Sequence, residues 1–582
     1  MGWKAALNAR DDLNDYGGEA LGLFGLALRF GVEDLQTVAA EAVTDGQNDK
    51  KLDIIYVDSS NKSAFLMQCY LAEGKWDKSA PADKATDLHA AASYAFNVTE
   101  ENLPDRIKSQ VLNLRRSIAE GDIDTVYIWY VHNRTESQGI SSELQQVEVS
   151  AQNHINAKFG EGICRVIGQE VGRNTLQEWY DKSSSQIVVD DEIEFEIEDL
   201  FEKTGSGWSC VVTSISGADL FALYKRKSKD LFSLNVRDYL GIVKKDANVN
   251  NNIRQTASEN PGSFWAFNNG LTAIVHDYDV SDRPNQRRAL KVNGIAIVNG
   301  AQTTGAIGNL DDMPSDDLQV SARFFKTNDQ ALIEQIIRYT NSQNAVEASD
   351  FRSTDSVQKR LKAEFDEISS ADYDGGRRGN ISDAIKRRPN LLPSYTVGQA
   401  LTAFHGDPVL AYNEKSRIWN DNTAYNRIFN DSTTALHIIF VFSLLRSIEG
   451  KKKELVMKAK GDSSALSQQD QVKLDLLRQG GAQYLLSFTV SECIELIIQQ
   501  RVPNKFRLRF ADHTASEAKV QWDPIVEVFL AFSPMLTSHL REGLKSNERA
   551  NTAALELRQT LDSIKQFHEK TYASFKKSVI IA

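Results

Sequence analysis

Three short segments between Phe264 and Arg352 place carboxamide side chains directly beside large apolar residues. Their sequences are FWAFNNGLTAIV, GIAIVNGAQTTGAI and RYTNSQNAVEASDFR. A buried polar group without a hydrogen-bond partner costs roughly 1–3 kcal/mol, so each of these amides has to find a partner in the fold. Three such segments close together predict polar groups that converge on a ligand or on one another.

The length and charge of the chain limit its class. A chain of 582 residues is too long for one core, and about two to four domains are expected. The net charge of −12 argues against a general polyanion-binding coat but allows a local basic groove. The four cysteines show no CxxC or Cys/His spacing, which excludes a zinc ribbon and indicates a reducing compartment.

The chain shows no membrane or export signal. Its N-terminus carries charges where a signal peptide needs an apolar core. The longest apolar run, near Ala435 to Leu445, is shorter than the roughly 20 residues of a membrane-spanning helix. We therefore expect a cytoplasmic protein without a membrane partner.

The apolar periodicity changes along the chain and predicts three domains of mixed class, α/β and α+β. Residues 1–180 show a helix–strand–strand–helix–strand order and predict an α/β domain. Residues 181–390 mix short strands with Gly/Asn turns, predict a mixed α+β domain and hold the Asn-rich motifs. Residues 391–582 keep helical spacing and predict a helical C-terminal domain.

The segment GQNDKKLDIIYVDSSNKSAFLMQCYL resembles the core of a PD-(D/E)xK nuclease, a restriction-endonuclease-like fold. Such a site has an acidic residue at the start of one strand, an acidic or amide residue on the next strand, and a lysine two positions later. Asp53 fits the first position, Gln68 the second, and Glu41 is a further candidate metal ligand. Oxygen ligands of this kind hold Mg²⁺, which activates water and neutralises phosphate charge.

The lysine position of that motif is occupied by Tyr70, and tyrosine carries no positive charge at neutral pH. Lys75 is a nearby lysine that could fill the gap. Two interpretations therefore stay open: a Mg²⁺-dependent nuclease with a displaced lysine, or a nuclease-like fold that has lost catalysis and only packs or binds.

The Asn-rich motifs suggest a phosphate or nucleotide site. Asn268-Asn269-Gly270 predicts a hairpin turn between FWAF and LTAIV, or a ligand contact. The second motif predicts a buried strand, a glycine turn and a helix start, whose amides and threonine hydroxyls suit an anion; no Walker lysine follows. The candidate nucleotide- or phosphate-binding residues are Asn268, Asn269, Asn299, Gly300, Gln302, Thr303, Thr304, Arg323, Asn341, Gln343 and Arg352.

Two roles stay open for some charged residues in this region. Arg323 and Arg352 either bind phosphate with their guanidinium forks or pair with Asp350 or Asp355. Asp350 itself is expected to cap a helix. Arg237 is a further arginine of the same kind.

Positive charge concentrates in three stretches, YKRKSK, RPNQRR and GGRRGNISDAIKRRPN. The first two equally suit solvated loops. Glycines beside the third cluster let a loop follow a phosphate backbone closely. This stretch predicts nucleic-acid contacts at Arg377, Arg378, Arg387 and Arg388.

The order of several motifs resembles that of the AIPR family, which is named for abortive infection and phage resistance. The segments LFSLNVRDYLG, NNNIRQTASEN, FWAFNNGLTAIV, IVNGAQTT and NSQNAVEASDFR carry this resemblance. It implies a bacterial defence protein, often with an N-terminal nuclease-like domain.

A second resemblance concerns the central domain. VNGAQTTGAI followed by TNSQNAVEASDF is similar in layout to DGQHR and ParB/sulfiredoxin-like segments, in which a turn contacts a nucleotide phosphate. Here Asn299 replaces the acid, and Thr303 and Thr304 replace the His and Arg. The layout implies nucleotide or nucleic-acid binding more than nucleotide hydrolysis.

Two functions follow from these patterns. One is an anti-phage effector that acts on DNA or RNA as a Mg²⁺-dependent nuclease. The alternative is a catalytically degenerate sensor or scaffold subunit that binds nucleic acid or a nucleotide. In either case the expected partners include nucleic acid and a protein of a defence system or a second copy of the chain.

Overall fold

The structure is a computed structural model, and it forms two compact units. It describes residues 2–44, 46, 48–59, 61–74, 76–184, 189–227, 231–232, 253–283, 288–327, 329–341, 352, 355–375, 385, 390–461, 466–511, 515–540 and 543–581. The first unit combines Met1–Gln177 with Ala348–Ala582, and the central unit comprises Glu178–Glu347. The first boundary lies near the predicted residue 180. The second falls at 347/348 instead of 390, because the helix Ser356–Asp366 packs into the C-terminal helical core.

The N-terminal part of the first unit is a four-stranded sheet flanked by helices. Its elements are α1 (Trp3–Asn8), α2 (Glu19–Phe30), α3 (Leu35–Ala42), β1 (Ile54–Asp58), β2 (Ser63–Tyr70), α4 (Ala82–Phe96), α5 (Asp105–Ala119), β3 (Thr125–His132), α6 (Gln138–Phe159), β4 (Arg165–Val171) and α7 (Arg173–Ser184). The strand order is β1-β2-β3-β4, with β1 antiparallel to β2 and the other pairs parallel. Parallel neighbours need long crossovers, which α4 with α5, and then α6, supply. The predicted α/β organisation of this region is therefore confirmed.

The central unit is built on a mixed sheet. Its elements are β5 (Val189–Ile197), β6 (Leu200–Gly205), β7 (Trp208–Ser216), α8 (Gly217–Lys227), α9 (Phe264–Phe267), β8 (Leu271–Val275), β9 (Asp277–Asp282), β10 (Arg288–Asn299), α10 (Ala301–Gly308), β11 (Gln319–Lys326) and α11 (Gln330–Asn341). The strand order is β5-β10-β8-β11-β7-β6, and β9 also pairs with β10. One apolar cluster includes residues of α8 and α10, and a second, with Ile274 and Val298, packs against Ile333 of α11.

The acidic, alternating segment near residue 190 forms β5. Ile193, Phe195 and Ile197 are buried, while the glutamates between them are exposed. This is the strand with a solvated polar face that the alternation predicts.

The C-terminal part of the first unit is helical, as its periodicity predicts. Its helices are Ser356–Asp366, Ser394–Phe404, Pro408–Asn413, Arg417–Asn420, Asn422–Ile428, Ala435–Gly461, Gln468–Leu477, Ala482–Glu492, Ile494–Ile498, Ala515–Leu530, Ser533–Leu540, Asn547–Ser563 and Glu569–Ser578, with a short strand pair β12 (Leu508–Phe510) and β13 (Val579–Ile581). They share one apolar core. Among the described residues, no helix has the length and apolar character needed to cross a bilayer.

Buried charges join the N-terminal part to this helical part within the first unit. The Arg446 guanidinium lies 2.7 Å from Asp34 Oδ2 and 2.6 Å from Glu449 Oε2. Thr37, on α3, donates its hydroxyl to the same glutamate at 2.8 Å. The side chains of Arg446, Asp34 and Glu449 are almost completely buried. The free-energy cost of removing these charges from water is offset by their mutual attraction only while all three are present.

The substitution Arg446→Met is expected to lower the free energy of unfolding of the first unit by about 3–5 kcal/mol, because it leaves two carboxylates buried without their cation. Urea unfolding followed by tryptophan fluorescence measures the change. Arg417→Met is the matched control, since Arg417 pairs with Glu414 at the surface and its loss should leave the urea midpoint nearly unchanged. Equal midpoints for the two variants would contradict a structural role for the buried network.

Two histidines face each other in the helical core. His437 Nδ1 donates to the carbonyl of Leu508 at 2.9 Å, so its Nε2 accepts, at 2.9 Å, the proton carried by His405 Nε2. Burial lowers the pKa of His437 to about 4 and holds the pKa of His405 well below its ordinary value. Both rings are therefore neutral in the folded chain at neutral pH.

Stability is expected to fall as the pH drops from about 6.5 towards 4. In this window the unfolded histidines bind protons that the folded pair excludes, so acid favours unfolding. The substitution His437→Gln removes one of these groups and should make the dependence of the urea midpoint on pH less steep. Identical pH slopes for the variant and the unmodified chain would show that the pair does not control acid stability.

Candidate functional site in the N-terminal cleft

An open cleft of about 620 Å³ lies at the start of β1 and the end of β2. Acidic, amide and basic side chains share it with several backbone segments. The lining residues are Gly18, Glu19, Gly46, Asn48, Asp49, Lys50, Lys51, Asp53, Gln68, Cys69, Tyr70, Leu71 and Lys84.

Asp53 and Gln68 meet in this cleft because of the register of the β1–β2 hairpin. Ile54 pairs with Met67, and the amide of Asp53 donates to the Met67 carbonyl at 2.9 Å, so the same register places Asp53 opposite Gln68. Opposed residues of an antiparallel pair project from the same face. The Asp53 Oδ2 atom accepts the backbone N–H of Cys69 at 2.6 Å, which orients the carboxylate.

Gln68 carries an unsatisfied acceptor. Its side chain is only 2% exposed, and its Oε1 atom has no hydrogen-bond partner among the described residues. Such an atom costs roughly 1–3 kcal/mol unless a ligand satisfies it. This amide oxygen lies in the cleft of Asp53, and a hydrogen-bond donor or a cation would satisfy it.

Glu19 is a site residue that the sequence analysis missed. It opens α2, is 6% exposed and lines the cleft with Asp53. Helix α2 lies close to the strands because of Gly22, where an added Cβ would stand 2.9 Å from Ile54 Cδ1 and 3.0 Å from Cys69 Sγ. The sequence feature that could have predicted this position of Glu19 is the glycine pair Gly18 and Gly22. These glycines allow the helix that carries Glu19 to pack closely against the β1–β2 hairpin.

Three lysines line the cleft, and one of them lies near Tyr70, which occupies the position of the lysine that the motif lacks. Lys51 pairs with Asp87 at 3.4 Å, and Lys50 lies 3.4 Å from the side-chain oxygen of Asn48. Lys84, on α4, places its Nζ 5.6 Å from the centre of the Tyr70 ring, within cation–π range. Of the described carboxylates, none lies within ion-pair distance of Lys84. The cleft thus receives an ammonium beside Tyr70 from a helix instead of from strand β2.

Glu41, which the sequence analysis named as a further candidate metal ligand, lies away from this cleft. Its carboxylate accepts from Lys415 Nζ at 2.9 Å, from the Tyr484 hydroxyl at 2.9 Å and from Gln483 Nε2 at 3.1 Å. Glu41 therefore helps to hold the helical part, and it does not line the cleft. Lys75, the lysine that the sequence analysis named as a candidate to fill the gap at Tyr70, lies outside the described residues.

The donor atoms of the cleft suit a hard cation. In the described part of the chain, no group of three or more His, Cys, Asp or Glu side chains is arranged to hold a metal ion. The candidates here are two carboxylates and one amide oxygen, from Glu19, Asp53 and Gln68. An all-oxygen set of this kind matches the ligand preference of Mg²⁺.

In the central unit, the first two Asn-rich motifs contact each other. The side-chain oxygen of Asn268 accepts the Thr303 hydroxyl at 3.0 Å and the Gly270 amide at 2.8 Å. Gly270 has φ 72°, and an added Cβ there would stand 2.1 Å from the Ser321 carbonyl oxygen. The predicted hairpin turn is instead a helix-to-strand turn, because FWAF forms the short helix α9.

Further contacts join the motifs across three neighbouring strands. Asn299 on β10 and Arg323 on β11 both pair with Thr272 on β8. The Arg323 Nε donates to the Thr272 hydroxyl at 3.1 Å, and the Asn299 amide donates to the carbonyl of Thr340 on α11. The carboxamides of Asn268 and Asn299 therefore converge on protein groups, as one of the two sequence interpretations expects.

Other members of the predicted phosphate-binding set differ in exposure. Asn269, Gln302 and Arg323 are exposed. Thr304 is fully buried, and its hydroxyl has no hydrogen-bond partner among the described residues. Gly300, with φ 93°, precedes α10 without a side-chain cap.

Arg352 does not belong to the Asn-rich cluster. It lies in the first unit, where its guanidinium donates to Asn422 Oδ1 at 2.7 Å and to the Trp419 carbonyl at 3.2 Å. It also pairs with Asp355 at 3.5 Å and stacks over the Tyr425 ring. Of the two roles that the sequence left open for this arginine, the pairing with Asp355 is observed.

Several predicted residues lie outside the part of the chain that the structure describes. For Asn341 only the backbone is described. The others are Arg237, Gln343, Asp350, Arg377, Arg378, Arg387 and Arg388.

The fold and the cleft define a multidomain α/β protein with a helical C-terminal part and an oxygen-lined candidate metal site. Residues 232–520 match the model of the family described as AIPR protein. This match supports the resemblance to the AIPR family over that segment, and the N-terminal cleft lies outside it. No curated protein and no solved structure matches the chain.

Proposed function

We propose that this chain is a phage-defence protein of the AIPR type whose N-terminal cleft hydrolyses phosphodiester bonds in nucleic acid with a bound Mg²⁺ ion. The family match over residues 232–520 supports the defence role. The observation that carries the chemistry is the buried, unpartnered Oε1 of Gln68 in the cleft that Asp53 and Glu19 also line. A cation would satisfy this oxygen and offset the charge of the carboxylates.

The groups that line the cleft divide into those that would hold the ion and those that act on the phosphate. Asp53, Gln68 and Glu19 would hold the ion, and the Cys69 amide keeps the Asp53 carboxylate in one orientation. When bound, Mg²⁺ supplies positive charge for the scissile phosphate and lowers the pKa of a coordinated water.

The proposed reaction is a balanced hydrolysis. The oxygen of a water bonds to phosphorus, and one P–O ester bond breaks. The departing oxygen takes up a proton and leaves as a hydroxyl, while the other product ends in a phosphate monoester. Lys84 stabilises the negative charge that develops on the phosphate oxygens during this exchange.

The experiment that tests the proposal is a cleavage assay of the purified chain. Single- and double-stranded DNA and RNA are each incubated with Mg²⁺, with Mn²⁺, or with EDTA. Cleavage with either metal and none with EDTA is the expected result. Absence of cleavage on all four substrates, with nucleic-acid binding intact, would overturn the nuclease proposal and favour a degenerate sensor or scaffold.

A further inference from the structure

Two positive charges lie beside the Tyr70 ring, one from each of two other elements. The Lys84 ammonium, on α4, lies 5.6 Å from the centre of the ring. The Arg134 guanidinium, just after β3, lies 5.5 Å from the same centre. Both distances are within the range over which an aromatic ring attracts a cation. The lysine position of the nuclease motif therefore holds a ring with two cations beside it.

The register of the sheet explains why Arg134 reaches this ring. Tyr70 ends β2 and pairs in parallel with His132, the last residue of β3. Arg134 follows His132 by two residues and so leaves the sheet at the same edge as Tyr70. Tyr70 in turn follows Gln68 by two residues, and both side chains therefore project from the same face of the sheet.

Neither cation is neutralised by the described residues. The Arg134 guanidinium makes one hydrogen bond to them, from Nη1 to the Ser79 carbonyl at 3.1 Å, and its buried Nε has no partner there. No described carboxylate lies within ion-pair distance of Arg134 or Lys84. Lys51, which also lines the cleft, pairs with Asp87 instead. Two unpaired positive charges at the edge of the cleft suit the phosphates of a nucleic-acid backbone.

We propose that Lys84 and Arg134 form a two-cation phosphate site around Tyr70, in which Arg134 binds a backbone phosphate next to the one that is hydrolysed. This inference rests on the proposed nuclease function, and it assigns to Arg134 the binding of the nucleic-acid strand and not the chemistry. The planar fork of donors in an arginine side chain suits the oxygens of a phosphate.

The experiment measures binding in EDTA, so its result does not depend on cleavage. Fluorescence anisotropy follows fluorescein-labelled single- and double-stranded DNA and RNA of equal length over a range of salt concentrations. For the nucleic acids that bind, Arg134→Met should weaken the affinity about tenfold, as expected for the loss of one charge-assisted contact. It should also reduce the salt dependence by about one counterion, and Arg134→Lys, which keeps the charge, should restore that dependence.

Thr135→Val is the matched control, because Thr135 holds the same neighbouring segment without a charge. Its hydroxyl donates to the Trp76 carbonyl at 3.3 Å, as Arg134 donates to the carbonyl of Ser79. Affinity and salt dependence should be unchanged in this variant, and thermal unfolding should show that all variants fold.

A second readout separates binding from catalysis. In the cleavage assay, Arg134→Met should raise KM at nearly constant kcat, whereas Lys84→Met lowers kcat. Weaker binding by Arg134→Met in a chain that cleaves nothing would support the phosphate site and contradict the nuclease function. The phosphate site is overturned if the unmodified chain binds none of the four nucleic acids, or if Arg134→Met leaves affinity and salt dependence unchanged. Equal losses of affinity in Arg134→Met and Thr135→Val would also overturn it.

Discussion

The substitution Asp53→Asn is expected to reduce metal-dependent cleavage by at least about a thousandfold, because it removes a charged oxygen ligand from the proposed ion. The asparagine keeps the size of the side chain and one oxygen, so the hairpin should remain folded. The measurement is the initial rate of cleavage at saturating Mg²⁺. A parallel titration calorimetry experiment measures Mg²⁺ affinity, which should also fall.

Asp58→Asn is the control. It tests whether the loss of another buried carboxylate from the same hairpin, away from the proposed metal site, also lowers the cleavage rate. Asp58 ends the same strand, is buried, and accepts from the backbone and the side chain of Asn61 at 3.2 and 2.7 Å. Its replacement should cost stability but leave cleavage per folded molecule intact. If Asp53→Asn retains the rate of the unmodified chain while cleavage still requires metal, the active centre lies elsewhere in the protein.

The substitution Lys84→Met is expected to lower the cleavage rate by about a hundredfold or more, because it removes the ammonium that stabilises charge on the phosphate. Methionine keeps the unbranched stem, so the packing beside Tyr70 should change little. The decisive variant is the double substitution Lys84→Met/Tyr70→Lys, which returns an ammonium to the strand position two residues after Gln68. Recovery of much of the lost rate is the expected result.

Lys51→Met provides the comparison for Lys84. Lys51 also lines the cleft, but its ammonium pairs with Asp87. Its loss should affect the rate much less. A readout that does not depend on cleavage is acetylation by a lysine-specific reagent, in which bound nucleic acid should protect Lys84 in EDTA. If Lys84→Met cuts normally while Asp53→Asn does not, the nuclease proposal stands and the role of Lys84 fails.

Local patterns in the sequence were sufficient for most elements. Strand β10, Gly300 and helix α10 follow the order predicted from GIAIVNGAQTTGAI, because a buried strand, a glycine turn and a small-residue helix start are determined by neighbouring residues. Asp53 and Gln68 were also predictable as a pair, since a hairpin register depends on the short turn between its strands. FWAF was mistaken for a strand because a short apolar run does not distinguish helix from strand.

The composition of the site depended on tertiary contacts. Glu19 reaches the cleft through the close packing at Gly22, and Lys84 reaches it from a helix that follows the hairpin. Glu41 was predicted for the same site, but Lys415 and Tyr484 bind it. The sequence by itself determined most of the secondary structure, the acid and amide of the hairpin, and the absence of its lysine. Only the tertiary structure decided which side chains from distant parts of the sequence share the cleft with Asp53 and Gln68. The reason is that the packing of the helices, and not the spacing of residues along the chain, sets the direction in which those side chains point.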